Sequence, residues 1–218
     1  MAGLFSDTAL FPTGKKQRLD FALPDAGLVL WEQFFDLELA DAYYHCLLST
    51  SPWIQRSRPM YDKMVPDPRL TAYYGGERGH VWTDTLLAIK TRVEAQCGIA
   101  FNRVLLSYYR NGRDSVAWHS DTLPADGKHH PIASVSFGDT RIFKVRHRKY
   151  PADSSLQAEI PLVHGSFLLM GENMQYFYEH HVPKTTRAVG PRINLTFRIS
   201  DFITKKSYAP DGSGGYAV

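Results

Sequence analysis

A chain of 218 residues with 44% hydrophobic and 22% charged side chains is large and apolar enough to bury one sizeable core, which excludes a disordered protein. Two cysteines are too few for a disulfide scaffold, and with no spanning apolar run or N-terminal signal pattern the expectation is a reducing, cytoplasmic setting. A net charge of +3 permits a nucleic-acid partner without requiring one, because a local basic patch matters more than the total.

Residues 1–24, with Pro12, Gly14, Lys15 and Lys16, read as an extended N-terminal arm, and the Gly- and Ser-rich residues 209–218 as a flexible tail. No repeat is evident, so residues 25–208 are expected to form one domain. Asp36 has the chemistry of an N-cap for a helix over 36–49, with Leu37, Tyr44, Leu47 and Leu48 as its apolar positions. A second helix is expected over 84–97, opening near Thr83 or Asp84 and stopped by Gly98, with Leu86, Ile89, Val93 and Cys97 on one stripe. Cys46 and Cys97 fall within these helices and read as buried free thiols. From residue 103 onward the runs RVLLSYY, ASVSF, RIFKVRHR, SFLLM, QYFY and RINLTFRIS are rich in β-branched and aromatic residues and read as strands. Asn111-Gly112 in RNGRD is a hairpin signal between such runs. Helices first and many short strands after make an α+β chain whose strands form a sandwich or barrel.

In the last strand Ile193, Leu195, Phe197 and Ile199 alternate with Arg192, Asn194, Thr196 and Arg198, so the two sets face opposite ways. The polar set meets solvent if this is an edge strand and lines an anion pocket if it is not. Upstream, SVAWHSD places His119 and Asp121 on one side of an extended segment, and imidazole with carboxylate suits Fe(II), Mn(II) or Zn(II). A third ligand is on offer in YFYEHHVPK, at His180 or His181. Two imidazoles and one carboxylate occupy one face of an octahedral metal and leave the other open to substrates and O₂. A 2-oxo acid on that open face needs a fixed cation for its far carboxylate. The planar forks of Arg192 and Arg198 can grip one, with Asn194 and Thr196 between them adding hydrogen bonds. Together these features point to an iron-dependent oxygenase with a dicarboxylate cosubstrate.

The ordered motifs DSVAWHSD, PIASVSFGDTRIF, HGSFLLM, EHHVPKT and PRINLTFR, between about Phe101 and Phe202, resemble the AlkB family of Fe(II)/2-oxoglutarate dioxygenases, with weaker echoes at PWIQR and DPRLTAYYG. The resemblance implies a double-stranded β-helix (jelly-roll) core over about 101–202, N-terminal helices, and a nucleotide-recognition lid over about 52–83. It implies His119, Asp121 and His180 as the catalytic iron ligands. Tyr109, Arg192, Asn194, Thr196 and Arg198 match residues around 2-oxoglutarate, and Ser107 stands where relatives carry Asn. Thr122 stands where close relatives carry a second Asp against the damaged base, and it brings no negative charge for a cationic methylated base.

An enzyme acting on a base must take it out of the stack and hold it between flat groups. Trp53, Tyr73, Tyr74 and Trp82 are the candidate stacking residues, with core packing the alternative and the favoured one for Trp82. In RIFKVRHRK, Lys144, Arg146 and Arg148 share a face opposite Phe143 and Val145, a stripe that could track phosphates beside a metal mouth or simply be a solvated face. The expected activity is oxidative demethylation of 1-methyladenine- and 3-methylcytosine-type bases in alkylated DNA, with RNA as a further substrate. Fe(II), 2-oxoglutarate and O₂ are consumed or held, and formaldehyde, succinate and CO₂ are released. A monomer without membrane attachment is expected. One rival is an oxygenase with the same centre acting on a protein or small molecule, which Thr122 and the modest charge favour. The other is a non-catalytic jelly-roll that binds nucleic acid, which the intact triad and both arginines oppose.

Overall fold

Asp36 and Thr83 open the two long helices of the computed structural model, which describes residues 17–60, 62–76, 79–122, 128 and 130–199. The Asp36 carboxylate accepts the Leu39 N–H at 2.9 Å and caps the helix Leu37–Thr50; the Thr83 hydroxyl accepts the Leu86 N–H at 3.3 Å and caps Asp84–Cys97. Gly98 ends the second helix in the left-handed conformation, at φ 71°, which a glycine adopts without penalty. In that helix Leu86, Ile89 and Val93 are buried as their spacing predicts, with Cys97 half-buried. The first helix buries Ala40 and Leu47, but Leu37 is 68% exposed. Leu37 stands roughly 60° around the helix from Ala40, in the first turn, so the buried face passes it by.

In chain order the elements are β1 (Arg18–Asp20), β2 (Leu28–Trp31), α1 (Leu37–Thr50), β3 (Ser57–Met60), β4 (Lys63–Pro66), β5 (Leu70–Gly75), α2 (Asp84–Cys97) and β6 (Arg103–Tyr109). They continue with β7 (Val116–His119), β8 (Ile132–Gly138), β9 (Arg141–His147), β10 (Gln157–Leu162), β11 (Ser166–Met170), α3 (Met174–Phe177), β12 (Tyr178–Val182) and β13 (Arg192–Arg198). Seven strands form a large antiparallel sheet in the order β1-β2-β11-β8-β13-β6-β5, and four form a small one in the order β10-β9-β12-β7. From β6 on, the chain passes repeatedly from one sheet to the other, which is the double-sheet jelly-roll arrangement. Among the described residues β3 and β4 pair only with each other, so within residues 52–83 the hairpin is outside the two main sheets while β5 joins the large one.

Two apolar layers hold this together. Leu47, Leu86, Ile89 and Val93 of the helices pack on Val104, Leu106, Val135, Phe137, Ile193, Leu195 and Phe197, the outer face of the large sheet. Between the sheets, Leu28, Leu30, Ile132, Leu168 and Met170 meet Phe143, Val145, Ile160, Leu162, Tyr178 and Val182. β13 lies between β8 and β6, so the edge-strand reading is excluded: its apolar set meets the helices and its polar set faces the space between the sheets.

Two expectations are corrected. Asn111-Gly112 does not turn a hairpin, because the segment carries the chain from β6 in the large sheet to β7 in the small one, and neither residue has the positive φ that a two-residue hairpin turn requires. Gly112 serves close approach instead: a Cβ there would stand 2.5 Å from the Thr185 carbonyl oxygen, and the Thr185 N–H donates to Gly112 O at 2.9 Å. QYFY is not a strand. Residues 174–177 make the single turn of α3, closed by the Tyr178 N–H on Met174 O, and extension begins at Tyr178. Of the expected arm, Arg18–Asp20 pair with β2 as a strand; residues 1–16 and the tail from residue 200, Phe202 included, lie outside the described residues.

Replacing Leu195, which is fully buried in the centre of the large sheet, by Ala is expected to cost about 2–5 kcal/mol in urea unfolding, with the slope unchanged. Leu37→Ala is expected to stay within about 0.5 kcal/mol of the parent, because its side chain gains little from folding.

Candidate metal centre and its pocket

β7 and β12 run side by side with His119 opposite His180, and from His119 the chain turns out of the strand to Asp121. The imidazole rings lie 4.4 Å apart between centroids, and His119 Nε2 is 3.6 Å from Asp121 Oδ1. One ligand atom from each of His119, Asp121 and His180 can be chosen so that all three lie within 4.8 Å of one another. His119 Nδ1 sits 2.8 Å from the Ala117 carbonyl, which fixes the ring and directs Nε2 toward the other two residues. His181, one residue on, faces the other side of the sheet, where it stacks on Trp118 at 3.8 Å. Alternation along β12 thus separates the two histidines that the sequence alone left as alternatives.

The protonation states suit a metal. Burial alone would raise the Asp121 carboxyl, but Arg198 Nη2, 2.7 Å from Oδ1, together with His119 and His180 holds it well below the usual carboxylate range. Burial pushes His180 down to about 4, against the pull of Asp121. At neutral pH the carboxylate is therefore ionised and the His180 imidazole is neutral, the forms that bind cations. His180 Nδ1 is buried without a hydrogen-bond partner among the described residues. Two imidazoles and a carboxylate form the facial donor set that accommodates Fe(II), so the residues fit the ion.

The wall facing this centre is laid down in rows by strand register. Arg69 precedes β5 and faces Tyr109 of β6, which pairs with Arg192 of β13; the next row runs Thr71, Ser107, Asn194 and Ser136, and the next Tyr73, Leu105, Thr196 and Ser134. Arg192 is 1% exposed. Its Nη2 donates to Ser136 Oγ at 2.9 Å, while Nε and Nη1 have no partner among the described residues. Its guanidinium lies 5.2 Å from the centroid of the Tyr109 ring. Burial pushes it down to about 10, opposed by Tyr109. Arg141, equally buried, is a useful contrast, for its nitrogens are taken up by the carbonyls of Asn111, Asp114 and Pro183. A buried cation with two unused donors costs several kcal/mol unless an anion meets it, and a carboxylate suits its fork. The pocket thus fits a 2-oxo diacid as well as the triad fits iron.

Other expected residues take different places. Asn194 spends its amide donors on Ser134 Oγ and Val135 O and accepts from Thr196 Oγ1 at 3.2 Å, so these two brace the wall. Ser107 is buried opposite Asn194. Thr122 is exposed beside Asp121. Two of the stacking candidates are corrected, Tyr74 being buried against the helices and Trp53 packing on Tyr108 with its N–H on Leu48 O, while Trp82 stacks on Phe197 in the core packing favoured for it. All three belong to the outer apolar layer. Tyr73, on the opposite face of β5, is the exception; it shares the pocket's row and has the Arg56 guanidinium 4.6 Å from its ring. The basic stripe is corrected too. Lys144 pairs with Glu159 and Arg146 with Glu179, on the face of β9 opposite Phe143 and Val145, and Arg148 lies past the strand's end with Nη1 on Tyr176 O. These cations face away from the triad.

Two residues at the site went unnoticed in the sequence. Arg69 Nη1 donates to the Tyr109 hydroxyl at 3.2 Å; period-two spacing from Tyr73 through Thr71 was the signal that could have found it. Gln175 is buried and its Oε1 accepts the Asp121 N–H at 2.7 Å, a contact with no signal in the sequence.

Comparison with known proteins agrees with this geometry. The model of the 2OG-Fe(II) oxygenase superfamily matches residues 27–198. The bovine alpha-ketoglutarate-dependent dioxygenase alkB homolog 3 is 40% identical over 180 residues, covering 76% of this chain and 63% of that protein. The human homolog 3 is 38% identical, covering 78% and 64%, so the chain spans just under two thirds of these relatives' length. Human DNA oxidative demethylase ALKBH2 is 36% identical over 129 residues, covering 57% and 49%. The solved structure of OsALKBH1 superposes with a TM-score of 0.59 at 16% identity, over 79% of this chain and 96% of that one, and shares the fold. Matched across most of its length, with the triad gathered and both arginines on the last strand, the chain belongs to the 2OG-Fe(II) oxygenase superfamily, in its AlkB family.

Proposed function

We propose that this protein removes N-alkyl groups oxidatively from bases of the 1-methyladenine and 3-methylcytosine type in DNA, with RNA as a further substrate. The observation that carries this reading is the His119–Asp121–His180 cluster facing a buried guanidinium, Arg192, that has two unused donors. In this reading the cluster holds Fe(II), and Arg192 binds the far carboxylate of 2-oxoglutarate beside the Tyr109 ring. Arg198 keeps Asp121 ionised and aligned. When bound, the metal with its cosubstrate and O₂ supplies the oxidant for an N-methyl carbon, giving succinate and CO₂. The hydroxymethylated base then expels formaldehyde. Apolar side chains between the sheets, Phe143 among them at 5.0 Å from the His180 ring, keep bulk water from that part of the centre.

The choice of nucleic acid is supported by the name of one relative, DNA oxidative demethylase, and by Tyr73, the aromatic left on the pocket side of β5. We place the protein in the cytoplasm as a monomer; free Cys46 and Cys97 accord with a reducing compartment. A second reading, oxygenation of a protein or small molecule at the same centre, is favoured by the pairing of Lys144 and Arg146 away from the triad, which removes the expected phosphate track.

With iron and 2-oxoglutarate supplied, formaldehyde is expected from oligonucleotides carrying 1-methyladenine or 3-methylcytosine, and none is expected from His180→Ala or Asp121→Ala. Consumption of 2-oxoglutarate without formaldehyde from any such oligonucleotide would favour the second reading. Arg192→Met is expected to raise the KM for 2-oxoglutarate by roughly 100-fold or more, the cost of removing one side of a buried charge pair. The same variant without ligands should melt no lower than the parent, because it deletes a buried cation that lacks an anion; a marked fall in Tm would show that Arg192 is held by protein contacts instead.

A further inference from the structure

Asp121 is the ligand that the β-ladder does not hold. β7 ends at His119, and its pairing with β12 runs only from Val116 to His119, with an irregularity between the His180 and Val182 pairs. Two residues past the strand's end, the Asp121 main chain is secured by a side chain from another element. Gln175, in the single turn of α3, is 4% exposed, and its Oε1 takes the Asp121 N–H at 2.7 Å. An N–H can only donate, so the amide must present its oxygen there, which leaves Nε2 the weak partner Met170 Sδ at 3.7 Å. Beside it, Ser120 Oγ donates to Tyr178 O at 2.9 Å. These two bonds tie the His119–Asp121 segment to the stretch that runs straight into β12 and His180.

Asp121 is thus held at both its side chain and its main chain. Arg198 holds the carboxylate at Oδ1 and Gln175 holds the backbone. With the carboxylate gripped at one oxygen alone, the main chain could still swing about that contact. The Gln175 bond removes that freedom and sets the distance between Asp121 and the two imidazoles.

We infer that Gln175 is a positioning residue for the metal centre: its side-chain oxygen fixes the backbone of Asp121 against the His180 segment and so sets metal affinity. The inference rests on the proposed role of the triad as a metal site. Partners that orient ligands in this way are worth about 10- to 100-fold in metal affinity.

The test is Mn(II) binding to the protein without cosubstrate, followed by the EPR signal of the free ion, alongside the Tm of the metal-free protein. The parent is expected to bind one Mn(II) and His180→Ala to bind none. Gln175→Leu, which keeps the size and removes the acceptor, is expected to weaken binding at least tenfold. Gln175→Glu, which keeps an acceptor oxygen at the same reach, should remain within about threefold of the parent or bind more tightly. If Gln175→Leu does not fold, Gln175→Asn, too short to reach Asp121, carries the same expectation as Leu. Failure of the parent to bind Mn(II) would sink the metal reading itself. Normal binding by the parent with undiminished affinity in the Leu or Asn variant would overturn only the role of Gln175, as would a lowered Tm with unchanged affinity. Equal losses in the Leu and Glu variants would overturn it as well.

Discussion

The Arg198–Asp121 ion pair, 2.7 Å long, with the carboxylate buried and the guanidinium partly exposed, is the contact on which the rest of the site depends. Arg198 ends β13 of the large sheet, and Asp121 follows β7 of the small one, so the pair fastens the two layers at the triad. It also sets the charge state. Burial alone would drive the carboxyl toward its neutral form, a poor ligand for a divalent cation, and the guanidinium opposes this together with His119 and His180. One bond thus gives both the placement and the ionisation of the ligand. Its cost is desolvation of two charges, which such a pair offsets only when the geometry is good and further partners take up the remaining atoms. Arg198 Nε has no such partner among the described residues, so the pair is held in place by the fold as much as it holds the fold.

β13 shows how the sheet can tolerate this. Its apolar residues lock into the helix-covered layer, where Ile193, Leu195 and Phe197 are fully buried, and this anchoring fixes the strand's register against β6 and β8. A one-residue slip would move every apolar side chain into the polar pocket and every polar one into the apolar layer. The register that is best for packing is therefore also the one that brings Arg192 beside Tyr109 and Arg198 to Asp121. Packing against α1 and α2 stabilises an interior that would not be stable by its own contacts, with Arg192 the plainest case of a group kept at a cost.

How far the sequence reveals this differs by feature. Alternation along 192–198 defined both faces of β13, because period two is a local property and both faces are buried. The helices were equally legible, since Asp36, Thr83 and Gly98 act on their own neighbours. What sequence did not show is long-range. The Asn-Gly pair at 111–112 carries a hairpin signal, yet the crossing between sheets and the close approach of Thr185 determine its shape. Trp53, Tyr74 and Trp82 have the same composition as a stacking surface, and only the side of the sheet on which they fall makes them core. The stripe at Lys144 and Arg146 was a real shared face, but the charges of Glu159 and Glu179 that meet it come from other strands. Gln175 is the extreme case. Nothing in ENMQYFY distinguishes a surface amide from one that reaches Asp121.

The two sides of the pocket are built from different materials, and this divides the chemistry from the choice of substrate. Arg192, Tyr109, Ser136 and Asn194 all sit on paired strands of the large sheet, so the sheet's register sets their positions. By contrast, Thr122 lies past the end of β7, and among the described residues β3 and β4 pair with no strand but each other. Segments free of the main ladders accept substitution at little cost to the core, whereas strands fixed on both faces do not. The Asp121 charge is committed to Arg198 and to the two imidazoles beside it, and Thr122 adds no second carboxylate. The Arg56 guanidinium lies 4.6 Å from the centroid of the Tyr73 ring, so any second cation brought to that face must share or displace it.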